Sequence, residues 1–143
     1  MTPRKTLLFV LVAAALLLTG CGGGRAQVQT DEGPFDIVEV QLSDTFPPDC
    51  PSGTPGCSEA RSGYTILIVW LDPVNAFEGS LDPAMPAVSP SLTLGDGSDV
   101  PLAIHGMADQ RYFVAFTPPD SAGSITLNWE GNDPISLDGY LGE

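Results

Sequence analysis

Positive charge is nearly missing from this chain. Its 143 residues include 18 aspartates and glutamates but only five lysines and arginines, for a formal net charge of −13. The single lysine is Lys5, and beyond residue 20 the only cations are Arg25, Arg61 and Arg111. A surface of this kind repels phosphate backbones and anionic lipid heads, which excludes nucleic acid as a partner. Histidine occurs once, as His105, and cysteine three times. Those four are the bare minimum for a four-coordinate zinc site, so one cysteine used elsewhere leaves too few. No Gly-x-Ser-x-Gly nucleophile elbow and no EF-hand loop occurs. The longest apolar run, Leu7 to Leu18, has 12 residues, well short of the ~20 that a spanning helix needs. With 16 glycines and 14 prolines, long helices are not expected.

The most specific signal that is present lies at the N-terminus. Arg4 and Lys5 precede the apolar run, and the order of a basic region, an apolar region and small residues is that of an export signal over 1–20. The run ends in Leu18-Thr19-Gly20-Cys21. These four residues resemble the bacterial lipobox, in which a small residue precedes an obligatory cysteine. The resemblance implies a diacylglyceryl group on the Cys21 thiol and cleavage between Gly20 and Cys21. Two or more acyl chains, at about 0.8 kcal/mol per buried methylene, hold a protein stably at a membrane. The expected location is therefore extracytoplasmic, anchored to the bacterial cell membrane, or to an outer membrane if the host has one. The membrane-lipid contact is made through acylated Cys21.

Residues 21–33 read as a lipid-anchored flexible tether, with Gly22-Gly23-Gly24 and no apolar period in Gln27 to Glu32. Gly22 to Gly33 spans at most about 40 Å, enough to hold an acidic domain clear of the membrane. If Cys21 carries lipid, Cys50 and Cys57 remain, bracketing a Pro- and Gly-rich turn segment. Outside the cytoplasm this pair is expected to form a structural disulfide. A redox pair usually has the tighter Cys-x-x-Cys spacing.

Residues 34–143 read as one domain of short strands. Phe35–Leu42 alternates, with Val38, Val40 and Leu42 sharing a face. Tyr64–Leu71 is apolar on both faces and reads as a central strand. Leu92–Leu94 leads into a hairpin turn at Gly95-Asp96-Gly97-Ser98, and Val100–His105 follows. Pro101 places that strand at an edge. Gln110–Thr117, Ser124–Trp129 and Pro134–Asp138 complete about seven strands. Tyr64, Trp70, Phe113, Phe116 and Trp129 fall at core positions. The expected fold class is all-β, an antiparallel β-sandwich.

The strand Tyr64–Leu71, the Gly95–Gly97 hairpin and the ending Tyr112-Phe113-Val114-Ala115-Phe116-Thr117-Pro118-Pro119 together resemble an immunoglobulin-like β-sandwich. They are most similar to the small extracellular immunoglobulin-like domains of bacterial lipoproteins, a family with no assigned biochemical function. The resemblance covers Phe35 to Leu137. It departs from antibody-type domains, because here both cysteines lie in one loop.

For function, the leading expectation is a non-enzymatic interaction module presented to an envelope protein or glycan. The irregular segment Asp72–Pro90, with Phe77, Leu81 and Met85, is the expected partner contact. The alternative for these three residues is a plug at one end of the domain. A second expectation is a calcium-dependent structural or adhesive domain. Asp96, Asp99 and Asp120 would lie at one end and offer hard oxygen ligands, although turns favour aspartate for local hydrogen bonding alone. A carboxylate-based hydrolase is the third and least favoured. His105 is expected to face solvent, away from Leu102 and Ile104, and not to act as a base.

Overall fold

A computed structural model describes residues 25–51, 53–74, 88–108 and 111–141. The fold is all-β. The strands are β1 (Gln27–Thr30), β2 (Gly33–Ser43), β3 (Thr45–Phe46), β4 (Ser58–Glu59), β5 (Ile66–Pro73), β6 (Ser91–Leu94), β7 (Asp99–Ala108), β8 (Arg111–Phe116), β9 (Ile125–Asn128) and β10 (Ile135–Ser136). One helical turn, α1 (Asp138–Leu141), ends the described chain. Eight strands form a curled antiparallel sheet in the order β1-β2-β5-β8-β7-β6-β9-β10, and β3 and β4 pair separately.

The strand β5 organises the sheet. It lies between β2 and β8, and Ile66 to Leu71 are all buried. From Ile66 to Leu71 its sequence is apolar at every position, so both faces need cover. Leu67, Val69 and Leu71 join the main core, which also takes Phe35 and Ile37 from β2, Val114 and Phe116 from β8, Leu92 and Leu94 from β6, and Leu127 from β9. The two arms of the curled sheet thus face each other across one apolar interior. Ile66, Ile68 and Trp70 point the other way and pack with Phe113 and Ala115 in a second cluster.

Two β-bulges change the expected alternation. In β2 the register shifts between Ile37 and Glu39. Ile37 and Val40 therefore enter the main core, while Val38 packs on the second cluster. In β7 the shift falls between Leu102 and Ile104. A bulge adds one residue and moves the side chains beyond it to the opposite face. Leu102 and His105 thus share the side of Phe116 and Val114, and Ile104 takes the other side, opposite Ala115. His105 is exposed, as expected, but on the side of Leu102 and not away from it. The expected common face of Leu102 and Ile104 is corrected.

The strand β7 also joins the two arms. Asp99 to Pro101 pair with β6, and Leu102 to Ala108 pair with β8. Pro101 lies at this handover. A residue without an N–H fits a place where a ladder ends.

The N-terminal boundary is a further correction. The expected tether over 21–33 contains β1, whose Val28 is fully buried. Ile37 N–H donates to Ala26 C=O at 2.8 Å, so the folded unit reaches back at least to Ala26. The outer edge of β1 is closed by one side chain. Gln29 N–H donates to Asn132 Oδ1 at 2.7 Å, and Asn132 Nδ2 donates to Gln29 C=O at 2.9 Å. The primary amide thereby imitates a neighbouring strand.

Two measurements check this account. Phe116→Ala removes a fully buried ring from the main core and is expected to cost about 3–5 kcal/mol in denaturant unfolding. Asn132→Ala is expected to cost about 1 kcal/mol and to raise hydrogen exchange at the Gln29 amide, leaving the β5 amides protected.

Candidate functional site

The disulfide Cys50–Cys57 is formed, with its Cα atoms 6.0 Å apart. It closes the loop between β3 and β4, whose pairing sets Thr45 opposite Glu59 and Phe46 opposite Ser58. Gly53 N–H donates to Glu59 Oε1 across the loop. This clipped hairpin carries Phe46 to the outer face of the sheet. The Phe46 ring lies 4.7 Å from that of Phe113, which lies 5.7 Å from Trp70. Trp70 Nε1 donates to Gln41 Oε1 at 3.1 Å. Phe46 and Ala60 thus cover the second cluster. The loop sequence, dominated by turn residues, gave no sign of this role.

Of the three candidate calcium ligands, Asp96 and Asp99 engage their carboxylates within the hairpin, and Asp120 is tied in through its backbone. Leu94 C=O accepts from Gly97 N–H, and Gly97 has φ 86°, the left-handed conformation in which a Cβ is strained. Within this turn the Asp96 carboxylate accepts from both the hydroxyl and the backbone N–H of Ser98. Those two bonds hold the Asp96 carboxyl below its usual range, the hydroxyl contributing most. Asp99 Oδ1 accepts from Thr93 Oγ1, and Asp120 N–H donates to Gly63 C=O. Gly95 sits close to Ser124, where a Cβ would stand 3.0 Å from Oγ, so the two loops do meet at one end of the fold. Even so, among the described residues no three acidic, histidine or cysteine groups gather to hold a metal ion.

Of the other expected site residues, Cys21, Phe77, Leu81 and Met85 lie outside the described residues. Trp70, Phe113, Phe116 and Trp129 are buried, but Tyr64 is 47% exposed and is not a core residue. It follows a turn closed by Tyr64 N–H to Arg61 C=O and bridges to Pro119 at the rim of the sheet.

A shallow cleft of about 280 Å³ lies at the opposite end, among Val88, Ser91, Asn128, Trp129 and Glu130. Val88 N–H donates to Glu130 Oε2 at 3.0 Å, and Asn128 Nδ2 donates to Thr93 Oγ1 at 2.7 Å. Its lining is hydroxyl, amide and indole, with one carboxylate. It pairs no nucleophile with a base and suits surface contact better than bond-making. Sequence reasoning missed it because its residues come from distant segments brought together by the β6–β9 pairing.

The Ser98 bonds to Asp96 have a pH consequence. A carboxyl whose folded pKa is depressed adds stability above its unfolded pKa and loses it as pH falls through the folded one. Ser98→Ala is expected to raise the Asp96 pKa toward the ordinary aspartate value, read by carbon-detected NMR titration of its carboxyl. No known protein family, curated protein or solved structure matches the chain.

Proposed function

We propose that this protein is a bacterial cell-envelope lipoprotein, held by an acylated Cys21, that presents a non-enzymatic immunoglobulin-like module to a partner outside the cytoplasm. The observation that carries the reading is the sequence Leu18-Thr19-Gly20-Cys21 directly after a basic, then apolar, leader. The disulfide supports it, since a Cys50–Cys57 bond persists in an oxidising compartment.

The strand pairing supports the immunoglobulin-like part of the reading. Because β7 hands over from β6 to β8, the strands fall into two groups, β1-β2-β5-β8 and β6-β9-β10. Both groups contribute to one core, as the two layers of a sandwich do. Binding is favoured over catalysis by the chemistry of the surface. The Asp96 and Asp99 carboxylates are engaged within one hairpin, and His105 stands exposed opposite Val114.

The test is Cys21→Ser in the natural host. The wild-type chain is expected to take up labelled fatty acid, to start at Cys21 in the intact mass, and to sediment with membranes. The variant is expected to lose the acyl mass and to leave the membrane fraction. A wild-type chain without acyl mass, or a Cys21→Ser chain still bound to membranes, would overturn the placement. The interaction role is checked by crosslinking on intact cells, with reproducible recovery of an envelope component as the expected result.

A further inference from the structure

We infer that the domain is docked on the lipid surface by one defined end, the rim bearing Leu42, Tyr64 and α1, with the Trp129 cleft turned outward. This inference rests on the lipid-anchor reading above. Its basis is the length of chain outside the described fold and the place where that chain arrives.

Ala26 is already fixed. Its carbonyl accepts from Ile37 N–H, and its N–H donates to the Tyr140 hydroxyl at 3.2 Å. Only five peptide steps separate it from Cys21, and covalent geometry limits these to about 18 Å. A lipid on Cys21 therefore holds Ala26 within that distance of the headgroups, far less than the reach of a 12-residue tether.

The direction of approach is set by register. β1 runs antiparallel to β2, with Gln27 opposite Asp36 and Thr30 opposite Gly33. The chain before Gln27 thus comes from the side toward which β2 runs, past Val38 to Ser43. That stretch of β2 beyond Ile37 measures about 20 Å at the usual rise per residue. The two lengths nearly match. A fully extended link from Ala26 only just reaches the level of the rim, so the rim has to meet the headgroup layer.

The residues on this rim suit such a contact. Leu42 is 52% and Tyr64 47% exposed. A tyrosine combines an apolar ring with a polar tip, which suits the membrane–water interface. Ser43 pairs with Ile66 two residues after Tyr64, so Leu42 and Tyr64 flank one end of the β2–β5 pair. Helix α1 follows Leu137, whose N–H donates to Ile125 C=O, and lies at the same end. Asp44, Asp120 and Asp138 stand there too, with Ala60 N–H donating to Asp44 C=O and Ile125 N–H to Asp138 Oδ1. An acidic rim disfavours anionic lipids, and zwitterionic headgroups with outward ammonium groups fit it. The Trp129 cleft lies at the far end of the strands, where β6 begins and β9 ends.

The test is hydroxyl-radical footprinting of the full lipidated chain on phosphatidylethanolamine–phosphatidylcholine vesicles. The soluble Cys21→Ser chain is the reference. Tyr64 oxidation is expected to fall at least threefold on vesicles, while that of Met107, 46% exposed on β7, stays unchanged. Inserting twelve Gly and Ser residues after Gly24 is expected to restore Tyr64 reactivity. Equal Tyr64 oxidation in the two states, or protection of Met107 in its place, overturns the docking. Intact mass of the same sample separates the two levels. An acylated chain with unprotected Tyr64 refutes this orientation alone, and an unacylated chain refutes the anchor and the orientation together.

Discussion

The whole arrangement depends on one strand being apolar on both sides. Ile66 to Leu71 cannot be satisfied by a single packed layer, because alternate side chains leave in opposite directions. The inner set, Leu67, Val69 and Leu71, is covered when the sheet curls and brings β6 and β9 across the core. The outer set, Ile66, Ile68 and Trp70, is covered by the clipped hairpin that delivers Phe46. Each fully buried side chain of this kind contributes roughly 1.5–3 kcal/mol, so neither cover is dispensable. A ring closed by Cys50–Cys57 contributes about 2.5 kcal/mol by loop entropy. Its second effect is to keep the outer cover in place.

This two-sided demand was legible in the sequence, as were the hairpin at Gly95–Ser98 and the long strands around Phe35 and Phe113. Those segments carry strong local signals: consecutive β-branched and aromatic residues, or glycine where a left-handed turn needs it. The features that escaped have equally local causes. β1 offers one apolar residue in four, Val28, and its identity as a strand is set by partners elsewhere: β2 beside it and Asn132 across the seam. The bulges in β2 and β7 leave no trace in composition, yet each reverses the facing of every residue beyond it. Tyr64 looks like core by alternation, but Ile66 is where β5 begins. The turn before Tyr64 leaves its ring outside.

The placing of three acidic residues is likewise explained by their neighbours. Asp96 and Asp99 each complete the hydrogen bonding of one hairpin, and Asp72 lies 3.5 Å from Arg111 in an exposed pair worth little in energy. A candidate metal set from sequence spacing assumed that carboxylates at one end would converge. Asp96 and Asp99 instead face local donors, because a short side chain beside its own turn finds a backbone or hydroxyl partner at no further cost in chain entropy. The candidate site was therefore less legible than the fold. Turn chemistry and ligand chemistry use the same residue type, and only geometry separates them.

Among the described residues, two stretches of this curled sheet have a backbone side with no partner strand, the outer side of β1 and the later part of β7, and the chain treats them differently. At β1 an asparagine amide occupies the outward N–H and C=O of Gln29, so this stretch resists pairing with another strand. At β7, among the described residues, Leu102 to Ala108 pair on one side only. That stretch bears no acidic residue, although acids are common elsewhere. Its protection is conformational, since Pro101 interrupts donation at one end and the bulge before Ile104 breaks the flat register that a second strand needs. The different solutions reflect position. β1 lies against the β9–β10 turn, where a side chain can reach across, whereas β7 must pass from one arm to the other and is bent by that passage. The bend that joins the arms is the same feature that blunts the exposed margin.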